Sequence, residues 1–414
     1  MDNDYKQQNL EILEQHFRDG CKLNCVQKLG VEIEHIIVHR KTQEAVTYYE
    51  EHGIAWLLHQ LKAFYPHHHY ENEELLGLYN LDYSISLEPA AQLEISIMPK
   101  ESIRVIMKIY KSFLQVIEPI LEEEDYELLT IGYQPKSKVD DLPLIPKKRY
   151  EYMDEYFKTS GTRGRNMMRG TAATQISIDY CCEQDFIRKY RMAYIVMPAL
   201  KLLSDNTPIF EGKDYPGRLA RTEIWNNVDP KRCGILEGLF DEDFSFQTYA
   251  EYLWNLPLIF IPTEEGSKYT REQRVCDIWG DRLIEPEDVD HILSMTFLDV
   301  RVKHYVEIRG ADSMPMEYMV SYLALIKGLF FEKEVTEMLL RRYPVTIEDI
   351  RKAEDSLQRD GYQGEIYGKP AVKFIEELLN LAGDHLEDGE SIYLLPFRQL
   401  LKHRMTLADE YHQK

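Results

Sequence analysis

The sequence predicts an α+β fold built on an antiparallel sheet, and three observations predict it. Strand-like segments are punctuated by long helical ones without the regular strand–helix–strand rhythm of a parallel sheet. Four separated segments alternate apolar and polar residues with a period of two. From Glu317 onward the pattern is almost wholly helical.

Residues 2–18 read as a helix, Lys28 to Val38 as a strand and Ala55 to Tyr65 as a helix. The tract Pro66-His67-His68-His69 reads as a surface loop. Clustered imidazoles could take a transition metal, but adjacent residues on an extended segment point to alternate sides. Ser84 to Met98 is a strand pair or a kinked strand, and Glu101 to Glu124 is a long amphipathic helix with Pro119 near its end. LPLIPKKRYEYMDEYF reads as a loop, followed by the Gly- and Arg-bearing stretch SGTRGRNMMRG. TQISIDY is a strand, Gln184 to Leu203 a helix and RVKHYVEIRG a further strand. Helices are then expected over Tyr318–Arg342, Thr346–Arg359, Val372–Ala382 and Pro396–Glu410. The expected division is a catalytic unit over 1–315 and a helical C-terminal region over 316–414 packed on it.

At 414 residues the chain can bury one large core or two modest ones. A formal charge of −22 argues against a nucleic-acid partner, because neutralising phosphates needs a concentrated basic surface. No apolar run approaches the roughly 18 residues that a membrane span needs. The acidic, helix-patterned N-terminus lacks a basic start and an apolar stretch, which argues against secretion and for the cytoplasm. The cysteines Cys21, Cys25, Cys181, Cys182, Cys233 and Cys276 show no zinc spacing. Cys21 and Cys25 could form a redox pair or a metal half-site, and free thiols in a reducing compartment are the plainer reading. Monomer and homodimer both stay open.

The polar faces of the strands carry the chemistry. Glu32 and Glu34 share a face in GVEIEHIIV, as do Gln92, Glu94 and Ser96 in EPAAQLEISI. Gln175, Ser177 and Asp179 share one in TQISID, and Tyr305, Glu307 and Arg309 in HYVEIRG. A half-buried sheet with its polar face in water is the plain reading of any one strand. Two details oppose it. Ile36 and Val38 continue the parity of Glu32 and Glu34, and the faces are rich in carboxylate rather than Lys and Thr. Enclosed carboxylates repel one another unless cations compensate, and hard cations such as magnesium take carboxylate oxygens shared with phosphates. Arg309 is placed to meet a transferring phosphoryl group, or else simply pairs with Glu307.

The blocks GVEIEH, ISLEPAAQLEIS, NMMRGTAATQISID, DNTPIFEGK, GRLARTEIWNNVDP and VKHYVEIRG, in order from about Gly30 to Asp312, resemble the glutamate–cysteine ligases of plants and many bacteria. The resemblance implies a curved antiparallel sheet, or funnel, with helices outside and a glutamine synthetase-like fold. It also implies ATP as co-substrate, Mg2+, the substrates glutamate and cysteine, and a γ-glutamyl phosphate intermediate. By the same resemblance Glu32, Glu34, Glu88, Glu94 and Glu307 are metal ligands. The mechanism expected has two or three magnesium ions, held by Glu32, Glu34, Glu94 and Glu307, bridging the ATP phosphates and the γ-carboxylate. Arg309 contacts phosphate and Arg221, four residues before Trp225, holds the α-carboxylate of glutamate. Gln175 falls where relatives place Gln or a metal-binding His, so it is expected at metal, phosphate or substrate. Arg165, with Arg163 and Arg169, could cradle nucleotide phosphates, a plain exposed loop being the other reading. Ala90-Ala91 replaces the family's Gly-Gly, which leaves room for a shift of substrate. Two rivals stay open: a ligase joining glutamate to another amine, and an inactive nucleotide-binding relative.

Overall fold

The structure, a computed structural model, describes residues 2–22, 26–263 and 266–413, so Cys25 and its pairing with Cys21 lie outside the described residues. Nine strands form the main sheet: β1 (Leu29–His39), β2 (His67–Glu71), β3 (Glu74–Tyr79), β4 (Tyr83–Leu87), β5 (Leu93–Lys100), β6 (Tyr126–Leu129), β7 (Ala173–Ile178), β8 (Val300–Val302) and β9 (Val306–Asp312). They run in the order β8-β9-β7-β1-β5-β4-β3-β2, with β6 alongside the second half of β1. Every pairing in it is antiparallel, and the two end strands do not meet, so the sheet stays open.

Residues directly opposite one another across an antiparallel pair share a face. Val31 stands opposite Ile97 and Ile176, and Ile33 opposite Ile95, all of them buried. Burying such a side chain stabilises by about 1.5–3 kcal/mol. A slip of one residue would move this whole row out of the core and drive Glu32 and Glu34 into it. The apolar row therefore fixes which way the carboxylates point.

Helices cover the apolar face. Ile103–Glu123 buries Ile103, Ile106, Tyr110, Phe113, Ile117 and Leu121, spaced three or four apart, against β5 and β6. Its Tyr110 hydroxyl lies 2.8 Å from Nε2 of His35, whose Nδ1 meets the Leu93 carbonyl at 3.0 Å. Burial lowers the His35 pKa to about 4, so this imidazole is a neutral core group. Glu183–Leu203 is buried on nearly every side because it lies between β8–β9 and the C-terminal helices Lys333–Arg342 and Ile347–Asp360. Met316–Phe330 packs on Ile103–Glu123 and on Ala371–Asp384, continuing the same apolar core. On the polar face, Ile36 and Val38 join Ile131 and Ala172 in a small separate apolar cluster beyond Glu34.

Several elements differ from the sequence expectation. RVKHYVEIRG is a hairpin rather than one strand: Arg301 lies opposite Glu307 and Val302 opposite Val306. The KKRYEYMDEYF part of the expected loop forms the helix Lys148–Ser160, which buries Tyr150, Met153, Tyr156 and Phe157 at helical spacing. The histidine tract is the edge strand β2, with His67 stacked on Tyr79 of β3. Gly164–Gly170 is a short helix. The expected helix Tyr318–Arg342 is divided into Met316–Phe330 and Lys333–Arg342, and Pro396–Glu410 into Leu395–His403 and Leu407–Tyr411.

Candidate active site

The register of the sheet assembles the carboxylates. Glu34 of β1 faces Glu94 of β5, which faces Ser86 of β4, while Glu32 faces Ser96 and Gln175. Glu88 follows Ser86 by two residues, just past the end of β4, on the same alternation. Glu32, Glu34, Glu88 and Glu94 line one wall of a cavity of about 570 Å³. Lys147 and Arg149, at the start of Lys148–Ser160, line it too, as do Arg301, Lys303 and Arg309 of the β8–β9 hairpin. Arg221 and Trp225 reach it from one face of the short helix Ala220–Asn226.

Burial, then repulsion from Glu94 and Glu307, pushes Glu32 up to about 8. Burial and Glu88 push Glu94 up to about 7, against the hydroxyls of Ser86 and Ser96, which donate to its Oε1 at 2.9 and 3.2 Å. Burial raises Glu34 well above the usual carboxylate range, with Glu88 and Glu94 adding to it. Glu88 is raised by burial although Arg149 and Lys147 draw it down. Such a set asks for added positive charge before all its members can ionise.

Glu307, expected as a metal ligand, lies among cations. It is fully buried, and its oxygens already accept from Arg301 at 2.7 Å, Arg309 at 3.0 Å and Lys303 at 3.2 Å. Burial alone would raise its pKa, but the three cations prevail and hold it well below the usual range. Its carboxylate holds the basic groups of the hairpin in place. Gln175 is a bridge as well. Its amide oxygen accepts from Arg309 at 2.6 Å and its Nε2 donates to Glu34 at 3.1 Å. The other oxygen of Glu34 accepts from the Ala173 amide at 2.8 Å. Arg221 donates to the Ala311 carbonyl at 2.8 Å and lies 3.6 Å from Asp312, while its Nε is buried without a partner among the described residues.

No three His, Cys, Asp or Glu side chains among the described residues stand close enough together to enclose a metal ion. The donor chemistry nevertheless fits a hard divalent cation shared with phosphates. Neither Glu32 nor Glu88 has a side-chain hydrogen bond or ion pair among the described residues, and Glu94 engages only Oε1.

A family profile described as Glutamate-cysteine ligase family 2 matches residues 28–412. The chloroplastic glutamate–cysteine ligase of Arabidopsis thaliana is 30% identical over 399 residues, covering 85% of this chain and 74% of that protein. The chloroplastic glutamate–cysteine ligase B of Oryza sativa subsp. japonica is 31% identical over 339 residues, covering 77% and 66%. The chain belongs to glutamate-cysteine ligase family 2. Among solved structures, the glutamate–cysteine ligase of Francisella tularensis in complex with AMP superposes with a TM-score of 0.58 at 11% identity, over 95% of this chain and 85% of that one. That likeness shows the fold, an antiparallel sheet of the glutamine synthetase-like kind with helices outside.

Within this ligase the Ala90-Ala91 departure has a visible form. Ala91 takes φ +70°, the left-handed region that favours glycine. The turn is held by Ala91 N donating to the Glu88 carbonyl and by the Gln92 side chain, which accepts from Ala90 N and donates to the Met168 and Thr171 carbonyls. Arg165, expected at a nucleotide cradle or in an exposed loop, stands apart from the carboxylate cavity. It pairs with Asp140 at 2.7 Å and lines a separate recess with Arg163, away from the carboxylates. Arg169 is buried against Asp154 at 2.6 Å and serves packing. Lys147, Arg149, Arg301 and Lys303 had no place in the sequence reading. Arg301 and Lys303 share parity with Glu307, a signal that would have marked them once the chain was folded back at 303–305.

Proposed function

We propose that this cavity joins the γ-carboxyl of glutamate to the amine of cysteine at the expense of ATP, through a γ-glutamyl phosphate. The observation that carries the reading is the juxtaposition, in one cavity, of carboxylates with unpaired oxygens and a basic wall anchored by Glu307. Glu32, Glu88 and Glu94 would each lend carboxylate oxygens to Mg2+ shared with the phosphates, and Mg2+ when bound supplies Lewis-acid charge to the phosphate oxygens. Arg309, fixed between Glu307 and Gln175, faces the charge that spreads over the transferring phosphoryl group. Arg221 binds the α-carboxylate, so that only the γ-carboxyl reaches the phosphate. Trp225, four residues on, walls the same side and excludes water from the acyl phosphate. The free thiols of Cys21, Cys181, Cys182, Cys233 and Cys276 suit a reducing compartment, and we place the reaction in the cytoplasm.

The test is ADP release with ATP, Mg2+, glutamate and cysteine, with the condensation product weighed by mass spectrometry. Release that needs both amino acids is expected, and its absence with this pair overturns the reading. The buried methyl of Ala91 keeps a second reading alive, glutamate with another amine, because it alters the turn that carries Glu88. A panel of amines in the same assay separates the two.

A further inference from the structure

We propose that Asp299 receives the ammonium group of an amino-acid substrate, and that Lys201 and Glu354 hold it ready; this rests on the reading of the cavity as an amino-acid ligase. Asp299 precedes β8 and lines the cavity with its side chain 14% exposed. Its Oδ2 accepts from Lys201 Nζ at 2.8 Å, while Oδ1 has no partner among the described residues. Lys201 also lines the cavity, and its Nζ donates to Glu354 Oε1 at 2.7 Å, yet its side chain is only 4% exposed. Glu354 belongs to the C-terminal helix Ile347–Asp360, so a carboxylate from far along the chain reaches the back of the cavity wall.

Lys201 Nζ is thus shared between two carboxylates, and the Oδ1 of Asp299 is left as an acceptor on the cavity side. A largely buried acceptor without a partner is costly unless a donor meets it, and a cation meets it best. Of the cations near it, Arg301, Lys303 and Arg309 converge on Glu307 and none of them pairs with Asp299. Apart from Mg2+, placed at Glu32, Glu88 and Glu94, the groups that bring a positive charge with the substrates are the two ammonium groups. The backbone keeps Asp299 beside the phosphate-facing arginine, because Arg309 N donates to the Asp299 carbonyl at 2.9 Å. A Cβ on Gly310 would collide with Met197 Sδ and crowd Lys201 Cε, so glycine leaves both side chains room beside β9.

Asp299→Asn removes the charge and keeps the shape. Losing a charge-assisted pair of about 1.5–3 kcal/mol should raise the KM of one amino acid roughly 10- to 100-fold and leave that of ATP unchanged. Hydroxylamine, a neutral nucleophile that traps the acyl phosphate, and glutarate, which lacks the α-amino group, tell the two sources apart. If the ammonium is the acceptor's, acceptor KM rises while hydroxamate formation from glutamate persists. If it is glutamate's, glutamate KM rises in both reactions and the preference for glutamate over glutarate collapses. Glu354→Gln, an isosteric change outside the cavity, should move the same KM in the same direction by a smaller factor, which a loss of folding would not do. An unchanged KM for both amino acids, or a change confined to ATP, overturns the assignment. Calorimetric binding of glutamate and glutarate keeps the two claims separate: wild-type selectivity lost in Asp299→Asn without any ATP turnover would sink the ligase reading alone.

Discussion

Glu32 and Glu307 lie on one face of one sheet and carry opposite electrostatic burdens. Burial and like charge hold Glu32 up to about 8, whereas three cations hold Glu307 low. A carboxylate raised in the folded state binds protons that the unfolded chain has already released. The penalty is therefore absent below the unfolded pKa, grows as pH rises, and is complete above the folded pKa. Without divalent cation, thermal stability should fall between about pH 5 and 8, and Mg2+ with ATP should restore it; melting curves across that range check this. Glu32→Gln should flatten the slope, stabilise the cation-free protein at pH 8 by on the order of 1 kcal/mol, and abolish ADP release. Glu307→Gln should act differently. It strands buried cations, so a loss of about 3–5 kcal/mol is expected together with loss of activity, measured by chemical unfolding. Ala91→Gly should be close to neutral. Relief of left-handed strain, about 1 kcal/mol, is offset by the lost burial of a methyl, about 0.8 kcal/mol.

At the scale of elements, β9 carries a bulge: Ile308 pairs with Ile176 but Ala311 with Thr174, so one extra residue falls at Arg309–Gly310. A bulge re-aims side chains, and this one turns Arg309 between Glu307 and Gln175. Gly310→Ala should displace the Met197 and Lys201 side chains and lower kcat more than it raises any KM, read from steady-state kinetics with circular dichroism as the control. The period-two alternation was legible in GVEIEH, QLEIS and TQISID because each apolar row must be buried, and that row fixes the carboxylate face. The hairpin in RVKHYVEIRG was not legible. Arg301, Lys303, Glu307 and Arg309 keep one parity whether or not the chain reverses at 303–305, so alternation alone is blind to the turn. The helix Lys148–Ser160 was masked by Pro143 and Pro146 just before it, although Tyr150, Met153 and Phe157 have helical spacing. The pairing of Glu307 with Arg301 and Lys303 was hidden along with the hairpin, since both come from the arm of the hairpin that folds back onto it.

For the whole molecule, the cavity has two walls of different construction. The carboxylate wall is built on β1, β5 and the end of β4, with its apolar side sealed in the core. The facing groups Arg221, Trp225, Lys147 and Arg149 come from short helices and their leading turns. Amide hydrogen exchange should be slowest along Val31–His35 and faster over Ala220–Asn226, with ATP and Mg2+ protecting the latter selectively. The apolar cluster of Ile36, Val38, Ile131 and Ala172 adds a further asymmetry, because it stops the polar face beyond Glu34. A reactant that strayed past Glu34 on that side would meet a greasy dead end. Exchanging Val38 for threonine would wet that dead end, and the toll would appear as hydrolysis of the activated acid uncoupled from amide formation.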